Sequence, residues 1–109
     1  MIYISGAISG KDREDYLSQF EYYEDYIKRQ GYTEYVDGEL KPIPIINPAK
    51  VCDQLPELTQ EQYMTLCMEM LKMCDTIYML PGWEESRGAK EELTFAMIYS
   101  KRVEVAPIL

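Results

Sequence analysis

One carboxylate in this chain stands where its neighbours call for a hydrocarbon. Residues 89–100 read as a helix with an apolar stripe at Ala89, Leu93, Ala96 and Met97. Glu92 falls on that stripe, three residues after Ala89 and four before Ala96. Its neighbour Glu91 points elsewhere and reads as solvated. An ionised group on an inward face is costly to bury without partners, and the positive end of a helix offsets part of that cost in the first turn. Spacing alone leaves two readings. Glu92 either supports the helix start or faces a ligand cleft, where a carboxylate can do acid–base or covalent chemistry. The preceding loop adds Trp83, either a flat platform for a base or sugar or a core residue, and Ser86, a small hydrogen-bonding side chain.

Composition narrows the chemistry further. The chain has no histidine, which removes Ser–His and Cys–His nucleophile pairs and most transition-metal sites. Cys52, Cys67 and Cys74 are an odd number with no CxxC spacing, which argues against a disulfide framework and a zinc site. Cys67 and Cys74 lie in an apolar helical pattern and read as buried thiols. No metal and no cofactor is expected. The net charge of −8 disfavours binding to a nucleic-acid polymer, which needs a basic face. A small anionic ligand stays open, because backbone N–H groups bind phosphate without a positive chain. Ten tyrosines suit pockets and interfaces that are apolar at one end and polar at the other.

The elements that must position these residues alternate. Residues 1–6 read as a buried strand, 6–10 as a glycine-bearing loop, and 12–30 as a helix with Tyr16, Phe20, Tyr23 and Ile27 on its apolar side. Residues 32–42 are hard to read, although Asp37-Gly38 suits a hairpin turn. Ile45-Ile46 is a short strand ending at Asn47-Pro48, and a loop through Pro56 follows. Asn47 lines a cleft or makes a turn. Thr59 and Gln62 form a capping-box pattern ahead of a helix to about Met73. This helix is rich in methionine, which suits core or subunit contacts. A strand over 75–80, a loop over 81–88, the Glu92 helix and a strand over 103–106 complete the chain. The order predicts a small flavodoxin-like or Rossmann-like α/β three-layer sandwich, a single domain over 1–109, with a parallel sheet of about four to five strands. Ligands bind such sheets beyond the carboxyl ends of the strands, where segments 6–10, 47–52 and 81–88 should meet. No apolar run is long enough to span a membrane, and Met1 to Gly6 lack a signal-peptide pattern, so a cytoplasmic protein is expected.

Three strings resemble the nucleoside 2-deoxyribosyltransferase family, including its 2′-deoxynucleoside 5′-monophosphate N-glycosidase branch. They are Tyr3-Ile4-Ser5-Gly6-Ala7-Ile8-Ser9-Gly10, Cys74-Asp75-Thr76-Ile77-Tyr78-Met79-Leu80-Pro81-Gly82-Trp83, and Ser86-Arg87-Gly88-Ala89-Lys90-Glu91-Glu92 with Ala96. They are most similar to an uncharacterised subgroup, the small DUF4406 proteins of phage and bacteria. The resemblance implies cleavage or transfer at an N-glycosidic bond. Glu92 would attack C1′ of the pentose of a nucleoside or nucleoside 5′-monophosphate, and water or a second base would resolve the covalent sugar, as in retaining glycosidases. It implies that Tyr3 orients Glu92, that Gly6, Ala7 and Ile8 pack on the sugar and base, and that Ser86, with Gly88 beside it, favours a 5′-phosphate. It also implies a homodimer or larger homo-oligomer. Three features depart from the family. Cys67 replaces the aspartate that assists the leaving base, Ser9 replaces the arginine of the nucleotide hydrolases, and the sequence stops soon after its last strand. Cys67 keeps a second class open, a nucleotide- or nucleoside-binding module without catalysis. A third is an interaction scaffold whose acidic, tyrosine-rich first helix meets a partner.

Overall fold

The structure is a computed structural model, and it describes residues 1–108. Among the described residues, six strands and four helices follow one another: β1 (Ile2–Ser5), α1 (Arg13–Arg29), β2 (Thr33–Val36), β3 (Glu39–Pro42), β4 (Ile45–Ile46), α2 (Pro48–Asp53), α3 (Gln60–Lys72), β5 (Thr76–Met79), α4 (Arg87–Ile98) and β6 (Arg102–Val105). Strands β4, β1, β5 and β6 lie side by side in that order, all parallel. Helices cover both faces, so the three-layer α/β sandwich expected from the alternation is the one observed.

Period-two alternation in the strands splits the core in two. Ile2, Ile4, Tyr78 and Leu80 join Phe20, Tyr23 and Ile27 of α1 on one face. Tyr3, Ile77 and Met79 join Cys67 and Leu71 of α3 and Ala89 and Ala96 of α4 on the other. After β1 the chain turns to one side of the sheet, to β4, and then returns past β1 to β5. The reversal leaves a crevice outside the carboxyl ends of β1 and β5.

The difficult stretch resolves into an antiparallel β2–β3 hairpin, with Asp37 (φ +52°) and Gly38 (φ +80°) at its turn. The capping box at Thr59 and Gln62 is formed on both sides. One expectation is corrected. The segment after Asn47 is not loop alone but begins with the six-residue helix α2, whose first residue is Pro48 and whose N-cap is Asn47. Proline at the first helical position gives up an N–H that has no intrahelical partner anyway. Met68 and Met70 of α3 pack on the core and Met64 lines the crevice, leaving Met73 exposed. Among the described residues, no helix is long and apolar enough to cross a membrane.

Candidate functional site

The crevice is built on β1. Because side chains alternate along a strand, Tyr3 and Ser5 point to the α3–α4 face together. Both are buried, and so is Glu92, which is 5% exposed. The Tyr3 hydroxyl donates to Glu92 Oε2, and the Ser5 hydroxyl donates to Oε1 at 2.7 Å. Glu92 reaches them from the second turn of α4, whose start is fixed by Ser86. The Ser86 Oγ accepts from the Ala89 N–H at 3.1 Å as the N-cap, and the N–H groups of Arg87 and Gly88 are left without intrahelical acceptors. Close packing holds the two sides of the crevice together. A Cβ on Gly6 would come within 3.2 Å of Leu80 and Phe20, and one on Gly88 within 3.3 Å of Met64 Sδ. The sequence suggested glycine freedom at both ends of the 6–10 loop. Positive φ is found at Gly10, whereas at Gly6 the close approach is what requires glycine.

Among the described residues, no cation pairs with Glu92. Burial is the largest influence and pushes its carboxyl up to about 7, against the two hydroxyl donors that favour the charged form; Glu91 adds to the rise. Burial, then the charge of Glu92, pushes the Tyr3 hydroxyl well above its ordinary range. The same two causes, in the same order, push the Cys67 thiol up to about 12. Tyr63 also lines the crevice, with its titration raised chiefly by burial. Among the described residues, its hydroxyl is the buried side-chain polar atom without a hydrogen-bond partner of ordinary geometry, and its only polar neighbour of that kind is the weakly bonding Cys67 thiol.

The space around Glu92 has two parts. The inner pocket holds Tyr3, Cys67, Tyr63, Ile8 and Glu92, with a volume near 20 Å³, room for about one water molecule. It meets an outer cavity of about 1090 Å³ lined by Ala7, Ser9, Lys11, Ser86, Arg87 and Glu91. Ser9, Gln60, Met64, Ser86 and Gly88 border both. Ser9 Oγ donates to Gln60 Oε1 at 3.2 Å, a contact between the β1 loop and the start of α3 that roofs the inner pocket.

The structure thus brings Tyr3, Gly6, Ala7, Ile8, Ser9, Ser86, Gly88 and Glu92 to one crevice. It sets two other candidates apart. Asn47 caps α2 by accepting from the Lys50 N–H at 3.1 Å, and its amide donates to Glu24 at 3.0 Å, so both ends of its side chain are committed. Trp83 begins a single 3₁₀ turn (Trp83–Glu85) and packs on the α3–α4 core; it is not among the residues lining the crevice. Asp75 lies at the amino end of β5, where the Met1 amino group donates to it at 3.1 Å. Sequence reading passed over Ser5, Tyr63 and Gln60. Ser5 carried a usable signal, since it shares a strand face with Tyr3. Tyr63 and Gln60 reach the crevice only through the packing of α3.

Fold and site together define a parallel α/β protein with a buried, hydroxyl-held carboxylate at the switch point of its sheet. Residues 1–105 match the family described as Domain of unknown function (DUF4406), and the chain belongs to that family. No curated protein and no solved structure matches it.

Proposed function

We propose that this chain cleaves or transfers the N-glycosidic bond of a nucleoside or nucleoside 5′-monophosphate, with Glu92 as the nucleophile. One observation carries the reading. Glu92 is a buried carboxylate held through both oxygens by neutral hydroxyls, at the carboxyl end of a parallel sheet and at the floor of a crevice. A cation partner lowers a carboxylate's basicity and nucleophilicity, whereas one held only by the neutral hydroxyls of Tyr3 and Ser5 keeps more of both. The resemblance to nucleoside 2-deoxyribosyltransferases supports the same assignment.

In this reading one Glu92 oxygen forms a bond to C1′ as the C1′–N bond breaks, and the bonding pair leaves with the base. The hydroxyl on the other oxygen keeps the carboxylate aligned. Water, or the nitrogen of a second base, then displaces Glu92 from C1′ and restores it. Cys67, with its titration near 12, is too weak an acid to protonate the departing base. The Tyr63 hydroxyl, which has no partner of ordinary geometry, offers that base a neutral hydrogen bond, and the proton comes from solvent. A pentose needs more room than the inner pocket provides, because small-molecule sites enclose a few hundred Å³. Substrate entry therefore parts Ser9 from Gln60 and moves the flexible Met64 aside. In the outer cavity the Ser86 hydroxyl, Lys11, Arg87 and the free N–H groups at the start of α4 are suited to a 5′-phosphate.

The raised titration of Cys67 also favours a second reading, a nucleotide-binding module without turnover. Chromatographic detection of free base separates the two. Purified protein is incubated with ribo- and deoxyribonucleosides and their 5′-monophosphates, beside Glu92→Gln. Base release that is lost in the variant supports glycosidic chemistry. Thermal stabilisation by one of these compounds without base release sinks the enzyme reading and leaves the binding module.

A further inference from the structure

Strand β6 ends the sheet with a bare edge. All four of its residues are exposed, and among the described residues no strand pairs with its outer side. Its two faces differ. Val103 and Val105 are in register with Ile77 and Met79 and lie on the α3–α4 face, yet they are 39% and 62% exposed. Arg102 and Glu104 are in register with Thr76 and Tyr78 on the other face, and among the described residues neither has an ion-pair partner. An edge of this kind is a template for another strand.

The backbone sets which register a partner strand can take. The Arg102 N–H donates to the Asp75 carbonyl at 2.9 Å and the Ala106 N–H to the Met79 carbonyl at 2.8 Å. Even-numbered residues of β6 therefore turn their backbone groups inward, and Val103 and Val105 turn theirs to the open edge. Antiparallel pairing with an identical strand must match outward residues with outward residues. The two-fold axis then passes through residue 102, 103, 104 or 105, and an axis at 105 sets Val103 opposite Pro107, which has no N–H to donate. An axis at 102 sets Arg102 against its own copy, and one at 104 does the same to Glu104. Only the axis at Val103 sets Arg102 opposite the partner's Glu104, twice over. It also lets the two Val103 residues exchange both of their hydrogen bonds.

The helix above this edge fits the same arrangement. α4 lies over β5 and β6, and its Gly88 side faces Met64 of α3. Met97 is nine positions after Gly88, about two and a half turns on and hence on the opposite flank. It is 65% exposed. A two-fold axis through Val103 brings this flank beside its own copy, so Met97, Val103 and Val105 form one apolar strip on the face opposite the ion pairs.

We propose that β6 pairs antiparallel with β6 of a second copy about an axis at Val103, joining two four-stranded sheets into one of eight strands. The charge pattern of the strand selects this occupant over an unrelated strand, because the edge is complementary to itself. The proposal does not depend on Glu92 chemistry and leaves the crevice open.

Sedimentation across micromolar concentrations tests it on the full chain. The native protein should be a dimer. Arg102→Glu sets like charges opposite each other twice and should weaken the dimer by about tenfold or more. Arg102→Glu combined with Glu104→Arg recreates the pairs with their signs exchanged and should restore the dimer. Val103→Pro removes only an outward N–H, which an edge strand tolerates. It should be monomeric with native circular dichroism. The proposal is overturned by a native protein that stays monomeric, by a dimer indifferent to Arg102→Glu or Val103→Pro, or by a charge exchange that does not restore association.

Discussion

Two glutamates are buried in this chain, and the molecule treats them in opposite ways. Glu24 of α1 is 8% exposed and Glu92 of α4 is 5% exposed. Glu24 meets the Lys28 ammonium at 2.8 Å one turn along its helix and accepts from the Asn47 amide at 3.0 Å. Burial raises its titration, but the hydrogen bonds and charge of Lys28, with Asn47, more than reverse this and hold it below the ordinary value. Glu92 has only the neutral hydroxyls of Tyr3 and Ser5, and burial wins. Glu24 fastens α1 to the start of α2. A buried carboxylate without a cation lowers stability, and a group of this kind in a crevice marks a candidate functional site.

The sharpest way to break this comparison is to neutralise each glutamate in turn. Glu92→Gln should reduce base release by on the order of a thousandfold or more, as loss of a nucleophile does, in a protein that folds. Glu24→Gln should leave base release within about twofold and cost roughly 1–2 kcal/mol of stability, because it weakens a charged hydrogen-bond network. Equal losses of activity in the two variants, measured beside their thermal unfolding, would remove the distinction.

The two groups should also respond to pH with opposite signs. Glu92 titrates near 7 in the folded chain against about 4.5 unfolded. Between those values the folded state keeps a proton that the unfolded state has released, so its contribution to stability falls as pH rises, by about 3 kcal/mol across the interval. Glu24 is lowered, so its contribution is present above the unfolded value and is lost as pH falls through the folded one. Denaturant titrations from acid to mildly alkaline pH should show Glu92→Gln gaining on the native protein between about pH 4.5 and 7, with a constant difference above that, and Glu24→Gln losing its deficit in acid. In the proposed reaction the ionised form of Glu92 is the nucleophile, so kcat/KM should climb with pH to a plateau above about 7. A profile flat through neutrality would contradict the assignment of Glu92.

Both carboxylates sit on apolar helical stripes in the sequence. Glu92 lies between Ala89 and Ala96, and Glu24 between Phe20 and Ile27, one residue after Tyr23. Periodicity therefore finds inward carboxylates, and it drew attention to the first while passing over the second as one charge among many in α1. It cannot tell them apart, because what separates them is tertiary: Asn47 arrives from the end of β4, and Tyr3 and Ser5 arrive from β1. The strands and long helices were legible because each carries many residues of one period. The six-residue α2 was not, since Asn47-Pro48 reads equally as a turn and as an N-cap with proline at the first helical position. Trp83 was read as either platform or core because a 3₁₀ turn, which sets the direction of its ring, leaves no periodic trace in three residues.

Tyr3 tests whether hydroxyls alone set the state of Glu92. Tyr3→Phe removes the donor on Oε2 and leaves Ser5 on Oε1. Losing a donor to the charged form raises the carboxyl further, so the pH midpoint of kcat/KM should move upward from about 7 and activity at neutral pH should fall by roughly tenfold. Much of that loss should return at higher pH. A merely structural tyrosine would lower activity at every pH without moving the midpoint.

The smallest effect expected is at Tyr63, where the comparison applies to a neutral group. Its hydroxyl is buried and has no partner of ordinary geometry, as the charge of Glu92 is buried and has no cation. Such a donor costs about 1–3 kcal/mol when left unpaired, so Tyr63→Phe should raise stability in the free protein, most simply seen as a higher unfolding midpoint. A hydroxyl reserved for the leaving base should also contribute one neutral hydrogen bond during reaction, and its loss should slow base release by about three- to tenfold. Gain in stability and loss in rate must appear together. If Tyr63→Phe is less stable than the native protein, the hydroxyl has a partner in solution and is a satisfied core group like Asn47. If stability rises and the rate does not change, the hydroxyl is unpaired but the base leaves without it, and hydrogen bonding to the leaving group must come from elsewhere in the crevice.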